Sequence, residues 1–396
     1  MNKKLNILFL SSWYPSRVFP TLGNFVQKHA EAVALQSNVI ALNVCSDETN
    51  KETYELVTEE INNVLTINVY YKKINHSFPI VSQLQKAIRY IKAHRIGLQK
   101  VQQQFVTIDL IHHNKLYPAG IVAWYLKKTK HIPYIITEHW TGYLASKKTH
   151  RSLVERILSK IIAKNADCIA PVSKNLGEAM QQLGLKNDYE VIYNVTDTQL
   201  FHPLETTKTH DKIKIIHIST LDNLHKNISG MLRVAKDLSE KRTDFEIWFI
   251  GDGDTTPHIA TAKKLNIYNT VAFFDGTKTT SEVASIMRTS DCFLLFSNYE
   301  NLPCVIVEAL ASGIPIISSD VGGIPEHITE PLGALVKAGD EKALLQTLNN
   351  VIDKCKHGFY QKNVLSKYAQ EHFSYKKVGE KYQDLYHRIL NKNRPS

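Results

Sequence analysis

Two glutamates, Glu300 and Glu308, stand eight positions apart within residues 297–315. A carboxylate accepts two hydrogen bonds at once, so each suits a vicinal diol of the kind a sugar ring presents. The apolar run 292–296 before them reads as a strand, which puts Glu300 in the loop at that strand's carboxyl end. Asn301 and Leu302 continue the loop, and Pro303 suits the first turn of a helix, where a missing N–H costs nothing. Gly313 ends that helix and Glu308 falls inside it, one to two turns on. The helix start offers unbonded N–H groups to an anion.

Other residues extend this chemistry to phosphate. Lys226 follows a predicted strand at 213–218 and stands at the start of a predicted helix. A lysine at a helix start is locally unfavourable, which argues for a ligand, and its point charge suits phosphate. Gly23 lets the backbone approach a ligand closely, and a helix begins at Asn24. His139 follows an apolar run at 134–137, and its imidazole can bond a sugar hydroxyl or position an acceptor. Its neighbour Glu138 is a rival for that role. Gly251 opens a turn after the run 246–250.

Short apolar runs alternate with longer amphipathic segments along the whole chain. In the first half strands are predicted at 6–10, 38–43, 65–70, 110–112, 134–137, 168–171 and 190–193, with helices at 24–35, 119–128 and 151–165. Runs without polar alternation mark strands buried on both faces, hence parallel sheets with right-handed crossovers. Residues 201–212 are polar, contain Pro203, and read as a linker. A second alternation follows, with strands at 213–218, 246–250, 271–274, 292–296, 315–318 and 334–336. Helices at 227–239 and 305–311 lie between them. The expected fold is α/β, with two Rossmann-like doubly wound domains facing each other across a deep cleft. Residues 1–203 and 204–375 form the domains, and 376–396 form a terminal helix that packs back on the first. Ligands bind beyond the carboxyl ends of such strands, which puts the site in the cleft.

Residues 297–315 resemble the E-x7-E motif of the retaining family-four glycosyltransferases of the GT-B fold. The resemblance implies that Glu300 meets the donor sugar's hydroxyls and Glu308 the ribose of the nucleotide. Residues 217–227 are similar to that family's phosphate loop: Lys226 matches its lysine, and Thr220 stands where an arginine is usual. Asn301 stands where the family usually has glycine. Residues 13–26, 137–143 and 321–326 and the turn at Gly251 also resemble family segments. The resemblance implies catalytic roles for His139, Glu300 and Lys226. Donor binding falls to Gly23, Asn24, Thr220, Lys226, Asn301, Leu302, Pro303, Glu308 and Gly251. It implies an NDP-sugar co-substrate, no cofactor and no required metal, an acceptor-binding first domain, and a glycan or lipid-linked acceptor in cell-surface polysaccharide or glycolipid synthesis. The alternatives are a nucleotide-sugar epimerase of the same fold and a non-enzymatic nucleotide- or RNA-binding module. A dinucleotide oxidoreductase would need a third glycine where Thr256 stands.

The chain has 396 residues, enough for two domains, and 43% of them are hydrophobic. No window approaches the length of a membrane span, and the apolar run after Lys3 and Lys4 is too short for a signal peptide. The expectation is a cytoplasmic protein. Five unpaired-looking cysteines fit reduced, buried thiols. The net charge is +10, and residues 1–200 carry nearly all of it. Within that half, Lys86, Arg89, Lys92 and Arg95 recur every third residue beside Ile88, Ile91 and Ile96. Such a helix suits an anionic membrane at its inner face, and no nucleic-acid partner is expected.

Overall fold

A computed structural model describes residues 4–73, 79–147, 149–204 and 211–392. In the first domain the strands are β1 (Asn6–Ser11), β2 (Asn38–Asp47), β3 (Tyr54–Ile61), β4 (Val64–Lys72), β5 (Leu110–Asn114), β6 (Tyr134–Glu138) and β7 (Cys168–Pro171). They form one sheet in the order β3-β4-β2-β1-β5-β6-β7. All pairs are parallel except β3 with β4. The helices are α1 (Asn24–Ala34), α2 (Pro79–Gln104), α3 (Gly120–Lys130), α4 (Leu153–Asn165) and α5 (Lys174–Gln182). Helices α2 to α5 share one core with one sheet face, and α1 covers the other.

Two expectations are corrected here. The sequence reading missed β3, an edge strand whose glutamates leave its second half exposed. Its turn is Asn62-Asn63, both at positive φ (50° and 64°), which is the backbone a two-residue hairpin demands. Residues 190–193 are not a strand. Glu190 and Ile192 each give one N–H to the edge of β7, and no ladder forms.

The second domain holds β8 (Ile213–Ile218), β9 (Phe245–Ile250), β10 (Ala272–Asp275), β11 (Cys292–Leu295), β12 (Ile316–Ser319) and β13 (Gly333–Val336). They form a fully parallel sheet in the order β10-β9-β8-β11-β12-β13. Its helices are α6 (Asn223–Lys226), α7 (Ile228–Ser239), α8 (Thr256–Lys264), α9 (Thr280–Arg288), α10 (Cys304–Ala311), α11 (Glu341–Lys356) and α12 (Lys362–Phe373). Helices α7 and α11 line one core, and α10 and α12 the other.

The last helix, α13 (Tyr375–Lys392), lies on α1, in the domain where the chain began. Val378, Tyr382, Leu385, Tyr386 and Ile389 complete the core on that face. The chain thus crosses between domains twice, and the crossings touch: Thr196 N donates to Phe373 O at 2.8 Å.

Candidate active site in the cleft

The carboxyl ends of β8 and β11 bring Lys226 and Glu300 together. Lys226 Nζ donates to Glu300 Oε1 at 2.5 Å, and both side chains are buried. Ser297 Oγ donates to the same oxygen at 2.8 Å, and His225 Nε2 stands 3.3 Å from it. Burial alone would push the Glu300 carboxyl up. Lys226 and His225 overrule it and hold the group down at about 2, so it is ionised. His225 also stacks on Tyr299 at 4.2 Å and bonds its carbonyl at 2.8 Å, which joins the two loops.

The sequence placed Lys226 at a helix start. Instead it ends the four-residue α6, capped by Asp222, and Asn227 breaks the chain at φ 53° before α7 begins. A positive charge there is favourable to the helix dipole, so the local-cost argument for a ligand does not hold. The loop before α6 is built on His217, whose ring bonds Leu294 O at 2.8 Å and Ser219 Oγ at 2.7 Å. Thr220 is exposed on this loop, and Leu221 follows at φ 56°, a rare backbone for leucine. Gly251 supports the loop from behind: a Cβ there would fall 1.8 Å from the Ser219 carbonyl oxygen.

Helix α10 opens toward the cleft. Pro303 is its N-cap rather than a residue of its first turn, and among the described residues no side chain caps the helix. Ile306 N bonds Pro303 O at 3.1 Å, which leaves the N–H groups of Cys304 and Val305 for an anion. Glu308 lies inside α10 and is met from across the cleft. Lys28 Nζ of α1 donates to its Oε1 at 2.6 Å. Burial acts to lower the Lys28 pKa, but Glu308 and its surroundings raise it overall, so the ammonium keeps its charge. The sequence reading missed Lys28, because its partner stands 280 residues away and no local pattern marks it.

Asn301 and Leu302 are also engaged across the interface. Asn301 Oδ1 accepts from Ser173 Oγ at 2.6 Å, and its Nδ2 donates to His139 O at 3.2 Å. Leu302 O accepts from Asn194 Nδ2 at 2.6 Å. Glu326 accepts from the N–H groups of Lys174 and Asn175, each at 2.9 Å, and so caps α5 from the other domain.

On the first-domain side, Gly23 is at φ 76°, and a Cβ there would fall 2.5 Å from the Trp13 backbone. Its conformation therefore sets the turn that launches α1 at Asn24. His139 is buried beside Phe25 and His29. Burial, helped by His29, holds its ring well below the ordinary imidazole range, so it is neutral. Its Nδ1 is buried and has no hydrogen-bond partner among the described residues. Glu138 accepts from the backbone N–H groups of Leu116, His139 and Trp140, each at 2.9 Å, and shapes the loop rather than facing a ligand.

A buried polar chain connects this wall to α13. Tyr386 OH is 2.6 Å from His112 Nδ1, and His112 Nε2 is 2.7 Å from Thr137 Oγ1. Thr137 Oγ1 is 3.0 Å from Tyr382 OH, which is 3.0 Å from His29 Nδ1. His29 Nε2 then reaches Asn194 Oδ1 at 3.4 Å.

Residues 201–372 match the family of glycosyl transferases group 1, and residues 32–200 match glycosyltransferase family 4. Two relatives align along most of both chains. An uncharacterized glycosyltransferase of Methanocaldococcus jannaschii is 25% identical over 341 residues, 85% of this chain and 88% of its own. A Bacillus subtilis glycosyltransferase named for teichuronic acid biosynthesis is 22% identical over 367 residues, 87% of this chain and 88% of its own. Among solved structures, sucrose-phosphate synthase from Thermosynechococcus elongatus superposes with a TM-score of 0.76 at 17% identity. That likeness covers 98% of this chain and 100% of that one.

Proposed function

Because the chain belongs to the group 1 glycosyltransferases and has the GT-B fold, we propose that it moves a sugar from an NDP-sugar to a hydroxyl of a glycan or lipid-linked acceptor, with retention at the anomeric carbon. The observation that carries this reading is the Lys226–Glu300 pair, 2.5 Å apart and buried beside the open start of α10. A buried, ionised carboxylate with a cation and a free helix start beside it suits a ligand that joins hydroxyls to phosphate. In this reading Glu300 accepts from the donor sugar's hydroxyls and Glu308 from the ribose. The leaving diphosphate is met by Lys226 and by the α10 N–H groups, whose contacts strengthen as charge develops on it. The acceptor hydroxyl attacks the anomeric carbon on the face the diphosphate leaves, and a diphosphate oxygen takes the acceptor's proton. In this reading neutral His139, whose buried Nδ1 has no hydrogen-bond partner among the described residues, holds a sugar or acceptor hydroxyl. The cell-surface polysaccharide role is supported by the relative named for teichuronic acid biosynthesis.

A thermal-shift series with UDP, GDP, ADP and their sugars tests the donor site. One nucleotide at a hundredfold excess over its Kd adds about 2.7 kcal/mol to the native state, a rise of roughly 5–10 °C in Tm. No rise with any of them would sink the donor site.

The reading includes docking at an anionic membrane. No helix among the described residues is long and apolar enough to cross one. Helix α2 leaves Leu84, Ile88 and Ile91 exposed between Lys86, Lys92 and Arg95. Ile96 instead joins the core, and Arg89 is half-buried with its guanidinium bonded to the Lys72 carbonyl, so neither belongs to that face. Helix α4, on the same side of the sheet, exposes Leu153, Val154 and Ile157 beside Arg156, Lys160 and Lys164. Neutralising Lys86, Lys92 and Arg95 should weaken binding to anionic vesicles by about 3 kcal/mol, roughly a hundredfold. Unchanged co-sedimentation with such vesicles would count against docking through α2.

A further inference from the structure

Each of the two glutamates carries its own lysine. Glu300 holds Lys226 at 2.5 Å and Glu308 holds Lys28 at 2.6 Å. The lysines come from opposite domains, Lys226 from α6 and Lys28 from α1. The second pair is nearly as secluded as the first: the Lys28 and Glu308 side chains are 15% and 9% exposed, against 10% and 7% for Lys226 and Glu300. An ion pair taken out of water in this way is costly unless further partners use its remaining bonds.

The remaining bonds are countable. An ammonium has three N–H donors, and Glu308 is the hydrogen-bond acceptor that Lys28 meets among the described residues. The ammonium also lies 5.8 Å from the centre of the Phe201 ring, and donors remain without an acceptor among the described residues. Lys28 and Asn24 are four residues apart on α1, so the ammonium shares a helix side with the first turn of that helix. Charge points the same way. A donor diphosphate enters a cleft that already holds two carboxylates, and the loop after β8 contributes Lys226 and the uncharged Thr220. With Lys28 counted, the two pairs cancel. Without it, the diphosphate would face an uncompensated Glu308.

Resting on the donor-site reading above, we propose that Lys28 is a further donor-binding residue. It neutralises Glu308 and gives its spare N–H groups to the donor's phosphates from the first-domain side of the cleft. Closure of the domains would thus bring a second cation to the leaving group.

The test is calorimetric titration of wild type, Lys28→Met and Lys28→Arg with the nucleoside, monophosphate and diphosphate of the preferred base. Lys28→Met should weaken the diphosphate by about tenfold or more and the nucleoside by less than about threefold. Lys28→Arg should recover most of the difference. If Lys28→Met does not fold, Lys28→Gln keeps a donor toward Glu308 without the charge and gives the same comparison. Equal losses for nucleoside and diphosphate would make Lys28 a brace for Glu308 only and overturn the proposal, as would no loss at all. A wild type that binds no nucleotide would overturn the donor-site reading itself, and this proposal with it.

Discussion

Replacing Lys226 by alanine is expected to cut the rate of sugar transfer by about 10²–10³-fold, the scale of losing one preorganised donor to a developing anion. The loss should fall on kcat more than on KM, because the charge on the departing diphosphate grows along the reaction. Removing one partner of a buried pair also costs roughly 3–5 kcal/mol of stability, so activity must be measured well below the variant's melting temperature. Glu300→Gln separates the two effects, since it keeps the shape and loses the charge. The carboxylate's own contribution has a sign that can be checked. Its folded-state pKa is depressed to about 2, so it favours the folded protein above the ordinary carboxylate range. That contribution drains away only as the pH falls toward 2. In Lys226→Ala the burial that pushes the carboxyl upward meets less opposition, so the contribution should be smaller and its loss complete at a higher pH. Wild-type turnover by folded Lys226→Ala would remove Lys226 from the proposed chemistry.

A second large effect is expected behind the cleft wall, where α13 packs on the first domain. Tyr382→Ala should destabilise the protein by roughly 3–5 kcal/mol, the usual cost of deleting a buried aromatic. At roughly 2–4 °C per kcal/mol, its Tm should drop by about 6–20 °C. The side chain is fully buried between α13 and the first sheet, and its hydroxyl bonds both Thr137 and His29. Tyr382→Phe isolates the hydroxyl and should cost about 1–3 kcal/mol, because Thr137 and His29 lose a shared partner. His29 also touches Asn194, which holds the Leu302 carbonyl of the Glu300 loop. Tyr382→Phe should therefore raise the donor KM as well as lower Tm. A Tm shift under about 2 °C for Tyr382→Ala would mean that α13 does not carry the first domain's packing.

The buried strands were legible because burial on both faces writes itself as a nearly uninterrupted apolar run, as in β1 and β11. The Glu300 loop and α10 were legible because strand end, proline and glycine punctuate them locally. Edge strand β3 was not, since its outer residues are glutamates that solvate one side of it. Lys28 and the side-chain bonds of Asn301 were invisible for a different reason. Their partners lie in the other domain, 280 and 128 residues away, and no spacing within one segment encodes a contact of that range. Lys226 shows the middle case: its neighbourhood was read, but the chain break at Asn227 moved it from one helix's start to another's end.

The return of α13 to α1 bears on the order in which the molecule can mature during synthesis. Ordinarily the first domain of a chain folds while the second is still being made. Here the side of α1 that carries His29 and Ala32 has no cover until Tyr382 and Gly379 of α13 arrive. The second domain ends at Phe373 and can close earlier. The half that is translated first is thus finished only after the second half has been made, and until α13 is synthesised the emerging chain carries an incompletely covered helix face.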